Sequence, residues 1–480
     1  MPQPTFLTQP GKAGFLWPAM LVTAILTGWA TASLGVFVPG ALLALVIVAI
    51  ATAVIYNRPK LGIITFITFC FTHSIFGREI GGGIPYQNLC FALIGLSLVA
   101  ALLKRDPRYE WANTKTDLCY LGYAWMAINL LQLLNSGGNF MGWLADVKYP
   151  LLWVMIIPLS LAMFNKKKDL DLFLILIICL SLFAAFWGIK QVKIGLTPAE
   201  RSFVVSSPTH LIFGKLRVFS FYSDAGQFGA SMAHLCVISI VLALGPFKKW
   251  KRILCAIASL FFLHGMFTSG TRGALFALVT GAFLFLVLTK NFRVIILGGA
   301  VALTGLFFLK YTYIAHDVYE IRRMRTALNP DDPSLHVRLL NQAKLAEYLK
   351  DYPFGGGVGS IGYAAKEYDR SSFLASIPPD SFWVKVWAMY GITGLVIWFG
   401  LMMYIIGKCC GIVWNIHDRG LKYKLIALTA GSAGIFLCSY GNEVINFMPS
   451  SVIVYFSWAF VFLGPKLDKQ NKLQNLPDHA

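Results

Sequence analysis

Charge is scarce in this chain. Only 13% of its 480 residues are Asp, Glu, Lys or Arg, against about 25% in an ordinary soluble domain. Acids are scarcer still, with 22 Asp and Glu against 41 Lys and Arg. A chain with so little charge does not make a soluble globular domain. Cysteine is missing from the long polar stretches. The nine cysteines, Cys70, Cys90, Cys119, Cys179, Cys236, Cys255, Cys409, Cys410 and Cys438, nearly all lie in apolar runs. That excludes a disulfide-stapled loop and leaves them as small apolar fillers. No His, Cys, Asp and Glu spacing suggests a metal, and no Asp-x-Asp occurs in the polar loops. The adjacent pair Asp331 and Asp332 is the weak remainder. Internal repeats and low-complexity segments are lacking too. The run Gly355 to Ser360 (GGGVGS) has neither the lysine nor the strand of a phosphate loop, and reads as a tight turn.

Apolar residues are abundant: 57% of the chain, with a mean hydropathy of +0.65. Apolar runs recur from end to end at lengths that cross a bilayer core of about 30 Å. In lipid the backbone must satisfy its own hydrogen bonds, so these runs are helices. We place fourteen spans near 14–36, 40–56, 61–76, 88–103, 117–134, 149–164, 170–192, 226–245, 253–268, 273–289, 294–309, 381–406, 423–440 and 449–464. The shortest could be re-entrant, which leaves about 12 to 14 transmembrane helices. The fold class is an all-α polytopic membrane protein.

The net charge of +19 reads first as topology, not as nucleic-acid binding. With the N-terminus inside, the inner connections hold Arg58 and Lys60, Lys104 to Lys115, Lys166 to Lys168, Lys248 to Arg252, Lys290 and Arg293, and Lys408 to Lys424. Short outer connections carry only Arg78, Lys148 and Arg272. Both termini are then cytoplasmic. Four regions follow: helices with an outer loop at 193–225 within 1–309, a large outer helical loop domain at 310–380, C-terminal helices at 381–464, and a polar, disordered tail at 465–480. Within the large loop, Asp317 to Ala327 reads as an amphipathic helix. Ser334 caps a second helix that runs to Lys350, with Leu335, Leu339, Ala343 and Ala346 on one side.

Four polar residues stand out on the outer face. Arg217 precedes the eighth span in an aromatic, serine-rich stretch; its bland reading is an arginine that reaches for lipid headgroups. Arg272 sits in a link of small residues too tight to be solvated, where charge is costly and usually functional. Arg338 lies two residues after His336 on the second outer helix, and by default is solvated. Asp380 follows two prolines at the start of the twelfth span, where an acid ordinarily caps a helix.

In this order, RVFSFYSDAGQFG from Arg217, SGTRGALFAL around Arg272, DYPFGGGVGS after Arg338 and DSFWVKVWAMYGITG from Asp380 resemble the O-antigen ligase and polymerase family of bacterial envelope glycosyltransferases. The resemblance is best from Arg217 to Gly394. The last stretch follows the ligase pattern His-(Asn/Ser/Gln)-x9-Gly-x2-(Gly/Thr/Tyr) from Ser381 onward, through Gly391 and Gly394. Asp380 stands where the ligases carry histidine. An aspartate, with an ordinary pKa of about 3.9, is ionised at neutral pH and can accept a proton in its place.

The resemblance implies a GT-C-like architecture with one large periplasmic loop domain, in the bacterial inner membrane. It implies a donor glycan on undecaprenyl diphosphate and an acceptor hydroxyl on lipid A–core, protein or another glycan. It implies neither cofactor nor metal. Arg217 and Arg272 would hold the diphosphate, Arg338 would clamp it or the first sugar, and Asp380 would deprotonate the acceptor for one inverting displacement. Lys215 and His336 are auxiliary candidates, and Glu443, in the last outer connection, would take over if Asp380 proved a mere cap. A polysaccharide polymerase on the same scaffold is the alternative. A transporter for an anionic lipid is a third reading, disfavoured because neither mid-membrane charges nor repeat symmetry are found.

Overall fold

The computed structural model describes residues 37–81, 86–135, 137–212, 214–329 and 331–474, with isolated positions between 22 and 33. The first expected span, 14–36, lies essentially outside the described residues. The other thirteen coincide with helices. These are α1 (Phe37–Asn57), α2 (Pro59–Glu79), α3 (Tyr86–Lys104), α4 (Asp117–Leu131), α6 (Lys148–Met163, following the short α5, Phe140–Asp146) and α7 (Lys167–Lys193). After the short α8 (Pro198–Ser206) come α9 (Ala225–Leu244), α10 (Lys249–Thr268), α11 (Gly273–Thr289) and α12 (Phe292–Tyr311). The polar excursion then contributes α13 (Tyr319–Arg325), α14 (Pro333–Leu349) and α15 (Tyr363–Tyr368). The chain returns through α16 (Phe382–Trp414), α17 (Arg419–Cys438) and α18 (Ser450–Gln474). Among the described residues, ten helical segments are long and apolar enough to cross a membrane, α5 and α6 counting as one. This is a multi-pass, mostly helical membrane protein.

Helices α9, α17 and α18 form the centre, each with most of its apolar window buried, whereas α12 buries none of its own. Small residues set the closest approaches. A Cβ on Gly434 of α17 would meet the backbone of Ala277 in α11, and one on Gly281 would meet Val237 of α9. Rings of α18 complete the middle: Phe456 and Phe460 stack on Phe173 of α7, and Trp458 packs on Trp153 of α6.

The outer excursion is tied to the bundle by its glycine run. Gly391 breaks α16 with a φ of +67°. The Pro353 carbonyl and the Gly355 amide occupy the space where a Gly391 Cβ would be, so only glycine fits. Gly356 and Gly357 donate their amides to Ala388 O and Met389 O at 2.9 and 3.0 Å. The GGGVGS turn is therefore the wedge that fills the helix break. This gives the glycine of the Ser381-to-Gly391 spacing a physical reason.

Three expectations are corrected. The cap of α14 is Asp332, whose Oδ1 accepts from Ser334 N and Leu335 N at 3.0 and 3.2 Å, because Pro333 is already the first helical residue. Its buried residues are Leu345 and Leu349, while Leu335, Leu339, Ala343 and Ala346 are exposed. The tail from Lys466 is helical as far as Gln474, the last described residue: Leu467 is fully buried, and Asp468 accepts from the amides of His417 and Asp418. Packing on the α16–α17 connection outweighs the polar composition of that segment.

Candidate functional site

The site is built on the four-residue turn Ser269–Arg272 between α10 and α11. Gly270 takes a φ of +60°, which lets the turn close without strain. Ser269 and Thr271 are buried and bond inward, Thr271 Oγ1 donating to Ala225 O at 2.8 Å. The carbonyls of Ser269 and Gly270 take arginines. Arg217 donates from Nε to Ser269 O at 3.1 Å, and from its two terminal nitrogens to Thr209 O at 3.2 Å and Thr271 Oγ1 at 3.4 Å. Arg323, on α13, donates from Nε to Gly270 O at 3.4 Å. A Cβ on Gly270 would lie 3.6 Å from Arg217 Cγ and 3.7 Å from Arg323 Cγ. Arg272 pairs with Asp332 at 2.5 Å and reaches Thr326 Oγ1 at 3.4 Å. Three guanidinium groups thus surround one turn, with one carboxylate among them.

Their electrostatics are those of partly buried cations crowded together. Burial lowers the pKa of Arg217, and the charge of Arg323 lowers it further. Burial also lowers that of Arg323, with Arg272 adding to the effect. Arginine stays protonated regardless, so the site keeps its charge. Burial would raise Asp332, but the hydrogen bond and charge of Arg272 outweigh it and hold the carboxyl below its ordinary range.

A second wall comes from the connection between α17 and α18. Arg338 Nη1 lies 3.9 Å from where a Gly441 Cβ would stand, and that point is 3.6 Å from Gly273 Cα. Asn442 packs against both Gly273 and Gly226, and Gln227 Nε2 donates to Glu443 O at 2.6 Å. The same connection holds the start of α16: Phe382 N and Ser381 Oγ both donate to Ser439 O, at 3.0 and 3.3 Å. Asp380 is the residue before this anchor. It is exposed, takes a φ of +42°, and pairs with no cation among the described residues. A left-handed backbone at a non-glycine residue is costly and concentrates at functional sites. Asp380 is not the helix cap. Ser381 is, its Oγ accepting from Val384 N at 3.4 Å, so the cap and the acid are separate residues.

One turn further into α16, Lys385 is buried between Asp146 and Glu443, 3.3 Å from each carboxylate. Burial raises the pKa of Glu443; the Lys385 charge opposes this and the Asp146 charge adds to it.

The structure therefore brings Arg217 and Arg272 to one turn, sets Arg338 beside Gly441, and anchors the residues after Asp380 on Ser439. Lys215 is exposed on the two-stranded hairpin Leu211–Ile212 and Lys215–Leu216, and His336 is exposed on α14. Sequence reasoning missed Arg323, Lys385, Asp146 and Asn442. The crowding of Arg322, Arg323 and Arg325 on one short amphipathic helix was a usable signal for the first.

A multi-pass helical membrane protein with arginines gathered at one face is the class that this arrangement defines. Residues 257–399 match the family model described as Wzy_C, O-Antigen ligase, and the match supports the O-antigen ligase family for this chain. The match includes Arg272, Arg323, Arg338 and Asp380, and leaves Arg217 and Glu443 outside. No curated protein matches the chain. The family covers O-antigen ligases and polymerases, so glycan transfer is supported in its broad sense.

Proposed function

We propose that this chain transfers a glycan from a polyprenyl diphosphate to an acceptor hydroxyl at the periplasmic face of the bacterial inner membrane. The observation that carries the reading is the set of three guanidinium groups around Ser269–Arg272, among which, in the described residues, Asp332 is the one carboxylate within 4 Å of a guanidinium nitrogen. In the displacement, the acceptor oxygen attacks the anomeric carbon from the face opposite the diphosphate. A new C–O bond forms as the bond to the diphosphate oxygen breaks, and the configuration inverts. The leaving diphosphate takes the electron pair and gains negative charge. Arginine forks bind phosphate oxygens in pairs and stabilise that charge without a metal. Asp380 takes the hydroxyl proton, a role supported by its exposure and by its lack of a cation partner among the described residues.

The lipid tail has a path. An apolar groove of about 1060 Å³ runs between α10, α11 and α12, lined by Phe267, Leu278, Phe285 and Leu306, and reaches Val318 and Ile321 beside the arginine helix α13. On this reading the bundle with its outer loop is a GT-C-like scaffold, with both termini cytoplasmic. Ligase and polymerase share this chemistry and differ in the acceptor.

The test is mass spectrometry of the glycoconjugate made by wild-type and Arg217→Ala, Arg272→Ala and Arg338→Ala cells, with the protein quantified in the membrane. Transfer should vanish in each while the protein remains, and wild-type transfer should survive excess chelator. Wild-type glycan output from all three variants would remove the diphosphate assignment.

A further inference from the structure

At the end of the bundle opposite the arginine turn, cations are also numerous, and several pair with carboxylates. Lys60 pairs with Asp169 at 2.5 Å, Lys408 with Asp117 at 3.0 Å and Lys167 with Asp418 at 3.7 Å. Lys424 pairs with Asp171, and Lys466 with Glu110. Among the cations without such a pair, four stand together. Arg252, Lys290, Arg419 and Lys422 have no carboxylate within 4 Å among the described residues, and all four line one cavity of about 700 Å³. No acidic residue lines it. The cavity lies between the end of α9, the start of α10, the α11–α12 connection and the start of α17.

Three of the four cations make contacts that hold them. Arg252 Nε donates to Ala243 O at 2.8 Å, and Lys422 Nζ donates to Trp414 O at 3.2 Å. Lys290 Nζ stands 3.7 Å from the centre of the Trp414 ring, and its own backbone is left-handed, at a φ of +54°. Trp414 thus draws Lys290 and Lys422 to one point, where their charges repel. Topology requires lysines in such connections, but it does not require them to converge on a shared cavity without a carboxylate. A bound anion removes the repulsion.

We propose that this cavity binds a phosphate group. Guanidinium and ammonium groups together suit phosphate oxygens. Basic pockets between helices on the cytoplasmic side take phospholipid headgroups. The rim points to the membrane as the source. Leu244 and Phe292 beside the cavity are exposed, and α12, which starts at Phe292, keeps its whole apolar window on the surface. The geometry therefore favours the phosphate of an anionic phospholipid over a soluble one. The site is separate from the glycan-transfer site and does not depend on that reading.

The test uses the full-length protein in nanodiscs of phosphatidylcholine with phosphatidylglycerol or cardiolipin, read by native mass spectrometry of the lipids that stay bound. The wild type should retain an anionic lipid that Arg419→Gln/Lys422→Gln loses by about tenfold or more, with retained phosphatidylcholine unchanged. Arg419 is exposed and Lys422 partly so, and neither belongs to the core. Lys408→Gln/Lys424→Gln removes the same charge outside the cavity and should retain the lipid. Displacement of the lipid by millimolar inorganic phosphate, or phosphate-dependent heat stability that only the cavity variant loses, would support the site and make a soluble anion its competitor. Equal retention by the wild type and the cavity variant without any phosphate dependence, or equal loss in the control variant, would overturn the proposal.

Discussion

Two sets of cations, one towards each end of the bundle, differ in what holds them. At one end lysines meet carboxylates: Lys60 with Asp169, Lys424 with Asp171, Lys466 with Glu110. At the other, arginines meet carbonyls: Arg217 at Ser269 and Thr209, Arg323 at Gly270. A carbonyl orients a guanidinium without cancelling its charge, whereas a carboxylate cancels it. Paired lysines hold helices together, and arginines on carbonyls stay ready for an anion. Arginine suits the second task because its donors form a rigid fork, so some remain free while others are fixed.

The comparison breaks most visibly at the arginine turn. Arg272→Ala and Arg217→Ala should each lower transfer by about 10²- to 10³-fold, the usual cost of losing one donor to a developing oxyanion. Arg323→Ala, which the sequence alone did not single out, should fall in the same range. Single-turnover assays on a lipid-linked donor measure this, and near-normal rates for Arg323→Ala would reduce the site to the other arginines.

Asp380→Asn should lower turnover by about 10²- to 10⁴-fold, as expected for a general base. Donor binding should be unchanged, since Asp380 pairs with none of the arginines. Asp380→His should retain part of the rate. Full activity of the Asn variant would move the proton acceptor to Glu443.

Lys385 sharpens the contrast from the middle, because it is a buried lysine with two carboxylates at the arginine end. Lys385→Met strands both and should cost about 3–5 kcal/mol, read as lost folded protein in membranes. Adding Asp146→Asn and Glu443→Gln to it should recover much of the folded protein. Abundant, well-folded Lys385→Met alone would mean that the cluster does not support α16.

The smallest effect belongs to the lysine end. Lys60→Ala is a partly exposed change and should cost about 0–1 kcal/mol, with transfer unaffected. A loss of transfer there would erase the division of labour between the two ends.

Much of the scaffold was legible in the sequence. Thirteen spans coincide with helices because each apolar run must close its own backbone hydrogen bonds in lipid, a local requirement. The capping error at Asp332 and the unexpected length of α18 arose where neighbouring residues compete or distant ones pack. Arg272 drew notice by its tight link of small residues, and Arg217 by its aromatic, serine-rich stretch. Arg323 did not, because a solvated amphipathic helix and one docked on a turn 53 residues away share the same periodicity. Glu443 was visible only as an acid in a short connection. Its partner Lys385 reads as a stray cation in an apolar helix until Asp146 arrives from α5.

By itself the sequence determined that the chain is a helical membrane protein, where its helices lie, and which connections carry charge, since lipid and water sort residues one segment at a time. The tertiary structure alone decided which arginines share a turn, which glycine run fills the break at Gly391, and which lysines remain without a carboxylate. Those outcomes depend on how helix sides pack, and contacts between segments far apart in the chain leave no periodic trace within any one of them.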